Sequence, residues 1–293
     1  MTAFDRVSTW AYSGSGVLLP GEGGVPLAPE LHANQLVAWV SIALAYGGSA
    51  AALAWVLWRL VKHRQVLPLV LFVAGLVAAN IEPLGDLVGS IVYANDTPWF
   101  GYTVMGRRMP AWILVGASSY VAIGGYIAYR YISQGKSLRD IFLLSAVYVG
   151  IPEIVIEMIW HFTGVISYYG DNPTRVGGVP LYSIVQNTTL LPVYGIVIFY
   201  AVKYLKGSRI WLLVFLIPAT TIGYIVGVSW PAYQAVQSSA PIVVTWLAAA
   251  AVIVTSILST YLLLQIPELR RIRDVAAAGE SGQPQPQHAA VTA

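Results

Sequence analysis

Long apolar runs separated by short polar connectors dominate the chain. A helix that crosses a bilayer needs roughly 20 mainly apolar residues. Seven runs meet that length, at about 35–57, 66–93, 110–131, 141–165, 180–204, 210–230 and 241–265. Together they fill most of the chain, which predicts an all-α polytopic membrane bundle of seven transmembrane helices over 35–273. Gly and Pro inside several runs fit membrane helices, where neighbours re-satisfy the freed backbone groups.

The basic residues set the expected orientation. Twelve of the sixteen Lys and Arg residues fall in one set of connectors: Arg59, Lys62, Arg64, then Arg130, Lys136, Arg139, then Lys203, Lys206, Arg209, and finally Arg270, Arg271, Arg273. The opposite set holds only Arg6, Arg107, Arg108 and Arg175. The positive-inside rule then puts the N-terminus outside and the C-terminus in the cytoplasm of a multi-pass plasma-membrane protein. Residues 1–34 show no basic stretch followed by an apolar one, so no cleavable signal is expected. With Trp10 and Tyr12 they predict an extracytoplasmic segment. Residues 274–293 are polar and of low complexity, and predict a disordered cytoplasmic tail in which His288 has no partner.

Composition narrows the class. Charged residues make up 10% of the chain and hydrophobic ones 57%, whereas soluble domains carry about 25% charged residues. That excludes an ordinary soluble enzyme. The absence of cysteine excludes thiol catalysis and cysteine metal sites. The small basic excess is explained by the orienting connectors, so no nucleic-acid partner is expected.

Against this background the polar positions inside the runs stand out, because a buried ionisable group costs several kcal/mol unless paired or facing a cavity. The second run reads AANIEPLGDLVGSIVY and holds Asn80, Glu82 and Asp86. The fourth holds Glu153, Glu157 and His161, spaced four residues apart. At about 1.5 Å per residue, Glu82 and Asp86 stand roughly 24 and 30 Å above the cytoplasmic start of their run, and Glu153 and Glu157 roughly 18 and 24 Å. Two pairs of carboxylates at overlapping depth predict one pocket. Pro83 and Pro152 adjoin the acids and widen the space beside them. Run five adds Gln186 and Asn187, the latter close to carboxylate depth.

Above the acids, the connectors ANDTPWFGYTVMGRRMPAW and SYYGDNPTRVGGVP supply Trp99, Arg107, Trp112, Tyr168 and Tyr169 as candidate substrate contacts, with Tyr102 among the aromatics over the acid cluster and Asn80, Trp160 and Asn187 from the runs. An interfacial aromatic belt is the competing account of such residues, and interhelical hydrogen bonding is that of Asn80 or Asn187. Protonated carboxyls in a dry, aromatic-lined site act as general acids, and a partner carboxylate removes a proton later. Glu157 or Glu82 would donate, and Asp86 or Glu153 would stabilise a cation and accept. His161 joins the catalytic set, although its position near the outer interface also suits a plain hydrogen bond. The substrate would be a lipophilic small molecule. No DDxxD pair is present, so Mg²⁺-assisted diphosphate ionisation is not expected. His161 and Glu157 alone are too few ligands for a metal site. Neither metal nor cofactor is expected.

The order of these features resembles the AveC-like spirocyclase family of actinobacterial membrane proteins. The resemblance is carried by Glu82–Asp86, Trp99 to Gly101 leading to Pro110 and Trp112, Glu153 and Glu157, then GVISYYGD and Gly178–Val179–Pro180–Leu181. It covers 80–181, about a third of the chain, and implies a spiroketal-forming cyclase or dehydratase of secondary metabolism acting on a polyketide-like substrate. The chain is also similar in general aspect to seven-span terpene cyclases, though its Asn-to-Glu spacing departs from theirs. Two non-enzymatic readings compete. A retinal protein would need a lysine in the seventh run, APIVVTWLAAAAVIVTSILSTYLLLQ, which has none. A proton-coupled carrier also uses membrane carboxylates, but seven runs with acids in only two do not suggest paired halves.

Overall fold

A computed structural model describes residues 27–104, 107–170 and 172–280. Most of the expected outer segment, with Trp10 and Tyr12, therefore lies outside the described residues, as do Asp171 and residues 281–293 with His288. The described chain is mostly helical. Five helices are long and apolar enough to cross a membrane: Gln35–His63, Leu138–Phe162, Leu181–Tyr204, Gly207–Val236 and Ile242–Leu264. Leu67–Ala79 and Glu82–Val88 become a sixth when counted as one span bent by 41°. The third predicted run is helical from Ile113 to Ser133 but is not among that set.

α1 (Gln35–His63) starts where the Asn34 side chain accepts from the Val37 N–H, a side-chain N-cap. α2 (Leu67–Ala79) stops at Asn80, and α3 (Glu82–Val88) follows the bend. The cause is local. Pro83 has no N–H to offer the Ala79 carbonyl, so the helical ladder breaks one turn earlier. Asn80 Nδ2 covers part of the break by donating to the Leu76 carbonyl at 2.9 Å. α4 (Ile113–Ser119) passes through a π turn, Tyr120–Gly125, into α5 (Tyr126–Ser133). α6 (Leu138–Ser145) passes through a second π turn, Ala146–Gly150, into α7 (Ile151–Phe162). Pro152, the second residue of α7, cannot donate to the Tyr148 carbonyl inside that turn. α8 (Leu181–Tyr204), α9 (Leu213–Val236) and α10 (Ile242–Leu264) complete the bundle.

Contacts between distant connectors gather the basic ends. Arg59 donates to the Tyr126 hydroxyl at 2.6 Å, Lys203 pairs with Glu268 at 2.6 Å, and Gly135 lies against the backbone of Ile272. α11 (Pro267–Glu280) packs there too, burying Leu269 beside Ile132, Ile141 and Leu264. This corrects the expected disorder for 274–280: the Ala-rich stretch after Arg273 is a good helix former and continues the helix.

The opposite end carries strand pairs that the apolar pattern does not predict. β1 (Ile91–Tyr93) pairs antiparallel with β4 (Ile166–Tyr168), so the second predicted run ends in a strand rather than helix, and β4 begins one residue past the end of the fourth. β2 (Phe100–Val104) and β3 (Arg107–Pro110) form a hairpin, and β5 (Arg175–Val176) pairs with β6 (Val179–Pro180). Val92, Tyr93, Ile166 and Tyr168 are buried under this lid, most of them in one apolar cluster with Met109 and Trp112. A second cluster joins α2, α8 and α9 through Val70, Leu71, Ala74, Leu190, Ile198 and Ile217.

Candidate active site

The break before Glu82 and the π turn before Glu153 set the geometry of the site. α3 presents Glu82 and Asp86 four residues apart, and α7 does the same with Glu153 and Glu157. The two pairs face one another. Glu82 lies within charge reach of Asp86, Glu153 and Glu157, Asp86 within reach of Glu157, and Glu153 within reach of Glu157. The four carboxylates lie within reach of one another, though of the four only Asp86 lines the cleft at the lid. Yet α3 and α7 scarcely pack on each other. α3 lies against β1 and α9, while α7 leans mainly on β4 and β6. No residue of α7 is fully buried.

Each acid has a distinct setting. Asp86 is 2% exposed, and its Oδ2 finds no hydrogen-bond partner among the described residues. Glu153 Oε1 accepts from Asn187 Nδ2, and its Oε2 is buried with no described partner. Glu157 Oε2 accepts from the Tyr168 hydroxyl at 2.7 Å, and Ser183 Oγ lies 3.4 Å from that hydroxyl. Glu82 is exposed, and Glu153 and Glu157 are half-buried. Buried polar atoms without partners are rare in folded chains and mark places where water or a ligand belongs.

Tyrosine hydroxyls surround the acids. Tyr93 and Tyr102 sit in the field of Glu82 and Asp86, Tyr120 in that of Glu153, Tyr168 in that of Glu153 and Glu157, and Tyr194 and Tyr233 in that of Glu82. The hydroxyls of Tyr102 and Tyr120 are buried and also lack described partners. Of these six, Tyr102 and Tyr168 were expected above the acids. The others resemble core or interfacial aromatics in sequence. The one usable signal was that Tyr93 flanks the acidic segment. A second polar chain backs Asn187: Gln186 Nε2 donates to its Oδ1 at 3.5 Å, and Gln186 Oε1 accepts from Ser229 and, at 3.2 Å, from Tyr233.

The remaining candidates separate by place. Arg107 is at the site: its guanidinium donates to the backbone carbonyls of Asp86 and Ile91 and to the Tyr169 hydroxyl at 2.7 Å. Arg107 and Tyr169 thus latch the β2–β3 hairpin over Asp86. Trp112 is buried between Tyr93 and Trp160, with ring centroids at 6.1 and 5.6 Å. Four expectations need correcting. His161 lies against Gly178, whose turn leaves no room for a side chain beside the imidazole, and near Arg175 rather than among the acids. Trp160 donates to Ser41 Oγ of α1 at 2.7 Å, and Trp99 stacks on Tyr46 at 5.2 Å with its other side exposed. Both hold α1 in place. Asn80 is exposed and serves the helix break.

A small cleft reaches Asp86 from the lid, lined by Tyr93, Asn95, Arg107, Arg108 and Met109 among others. Among the described residues no three His, Asp or Glu side chains are placed to hold a metal ion. Comparison with protein families, with curated proteins and with solved structures gives no match.

Proposed function

We propose that this chain is a membrane enzyme that cyclises or dehydrates a lipophilic, polyketide- or terpenoid-type substrate by acid–base catalysis. In this reading it crosses the membrane seven times, with the basic connectors in the cytoplasm and the lid outside. The observation that carries the reading is the convergence of four carboxylates from two helices that barely touch, with a buried Asp86 oxygen and a buried Glu153 oxygen left without partners. Interhelical glue would have satisfied those atoms.

The hydrogen bonds divide the roles. Asn187 fixes one oxygen of Glu153 and leaves Oε2 free, the arrangement of an oriented base. Glu82 is the most open of the four and, among the described residues, no side-chain donor holds it as a carboxylate, so it is the proton donor. It protonates a departing hydroxyl, and Glu153 Oε2 takes the proton of the attacking hydroxyl in a cyclisation, or of the adjacent carbon in a dehydration. Glu157, held by Tyr168, supplies negative charge that stabilises the cationic centre between these steps, and Asp86 offers its unpartnered oxygen to the substrate. Similarity to the AveC-like family points to spiroketal formation within this class.

The test is lipid-extract profiling of cells carrying the wild-type chain, Glu82→Gln or Glu153→Gln. Both variants keep expression and thermal stability but lose conversion by about 10²–10⁴-fold, the usual weight of a general acid or base. Normal product levels in both variants end the acid–base reading. A proton-coupled carrier is the second reading, favoured by the helix broken beside membrane acids. Proton-dependent flux in reconstituted vesicles, with no chemical change in the transported molecule, would decide for it.

A further inference from the structure

We infer that the crevice between α3 and α7 opens sideways into the hydrocarbon of the membrane, with Glu82 at its mouth, and admits a neutral, bilayer-dissolved molecule whose oxygen-bearing end reaches Asp86 and Glu153. The inference rests on the proposed membrane enzyme and adds a route and a substrate class to it.

Three independent features define the opening. First, acids that interact across a gap belong to helices that do not fill it: Glu82 acts on Glu153 and Glu157, while α3 packs on β1 and α9 and α7 on β4 and β6. Second, openness is graded along α3. Glu82 is exposed, Asp86 four residues on is 2% exposed, and Gly85 between them would meet nothing within 4 Å if it carried a Cβ. Space therefore lies beside the two acids. Third, both helices are apolar and unburied on the faces turned away from the acids, with Leu84 and Leu87 on α3 and Val155 and Ile159 on α7, while the exposed Ile156 stands beside Glu153. An opening between two helices with such outer faces meets lipid rather than water.

The ends are closed. The β1–β4 ladder joins α3 to the end of α7 above the crevice, and the Arg107–Tyr169 latch narrows the lid side to the small cleft at Asp86. Below, Val70, Leu71, Ala74 and their partners from α8 and α9 are packed without exposure or nearly so. A chain-like molecule of the bilayer enters from the side with its apolar part left among lipids. A charged or strongly hydrated one does not, because it would shed its water at an aliphatic rim.

A lipid-soluble carbodiimide tests this without knowledge of the substrate. A protonated carboxyl adds across the carbodiimide: its oxygen bonds to the central carbon, its proton goes to one nitrogen, and the O-acylisourea rearranges to a stable N-acylurea with no atom lost. Membranes containing the full chain are treated with dicyclohexylcarbodiimide or with the water-soluble 1-ethyl-3-(3-dimethylaminopropyl)carbodiimide, and adducts are mapped by mass spectrometry. The expected result is modification of Glu82 by the lipid-soluble reagent at least tenfold above the water-soluble one. Gly85→Trp, and Ile156→Trp on the opposite wall, each cut it by at least fivefold. Equal modification by both reagents, no modification of Glu82, or no effect of either tryptophan overturns the lateral opening. The two proposals fail separately: an unmodified Glu82 with conversion still lost in Glu153→Gln removes only the portal, and a modified Glu82 with conversion intact in Glu153→Gln removes only the chemistry.

Discussion

The two ends of α2 and its continuation are built on opposite terms. Toward the basic end, α2 lies so close to α4 that a Cβ on Gly75 would fall 2.5 Å from the Ala117 carbonyl oxygen and 2.7 Å from Ser118 Cα. Ser118 there donates to Ser49 at 2.8 Å, and small residues let three helices share one seam. Past the break, α3 offers acids to α7 across a space that neither helix fills. A glycine serves both regions with opposite effect: Gly75 removes a side chain so that backbones meet, and Gly85 removes one so that nothing does. Stability is concentrated in the first region, and the second keeps polar atoms unsatisfied at a stability cost, the usual exchange at a functional site.

Substitutions separate the two regions by what they damage. Gly75→Leu should have the largest effect, forcing α2 from α4 and costing about 3 kcal/mol, read as a large drop in the thermal midpoint in detergent. If Gly75→Leu unfolds no earlier than wild type, the seam is not the stable part. Tyr168→Phe should lower that midpoint far less than Gly75→Leu does and lower conversion roughly fivefold, because Glu157 loses the donor that orients it and one such bond is worth about 1 kcal/mol. A midpoint that falls as far as activity would make Tyr168 a packing residue instead. Ser118→Ala is the mildest, about 0.5–1 kcal/mol for one interhelical hydrogen bond, with conversion intact.

The spans and the acids were legible in the sequence because hydropathy and ionisable side chains are properties of single residues and their spacing. Glu82, Asp86, Glu153 and Glu157 needed only the rise of a helix to be placed at similar depth. The strand pairs were hidden, because Ile91–Tyr93 and Ile166–Tyr168 are three-residue stretches that prolong an apolar run without a break in its pattern. His161 misled for a geometric reason: each four-residue step drifts about 40° around a helix, so it stands about 80° from Glu153, enough to face the Gly178 turn. Most of the tyrosine ring was illegible since Tyr93, Tyr120, Tyr194 and Tyr233 come from four different elements, and their meeting is a product of the fold alone. Asn187 needed the fold as well, to show that its amide is spent on Glu153.

The π turn at Ala146–Gly150 carries a consequence for ancestry. Such a turn holds one more residue than the α-helix it interrupts, and each residue rotates the remainder of the helix by about 100°. The direction in which Glu153 and Glu157 point is therefore set by a single surplus position upstream of them. Losing that position would swing both acids away from Glu82 and Asp86 with every one of the four carboxylates still in the sequence. Among descendants of a common precursor, some would keep these glutamates without the chemistry, and a count of residues between Ser145 and Pro152 would tell the two groups apart.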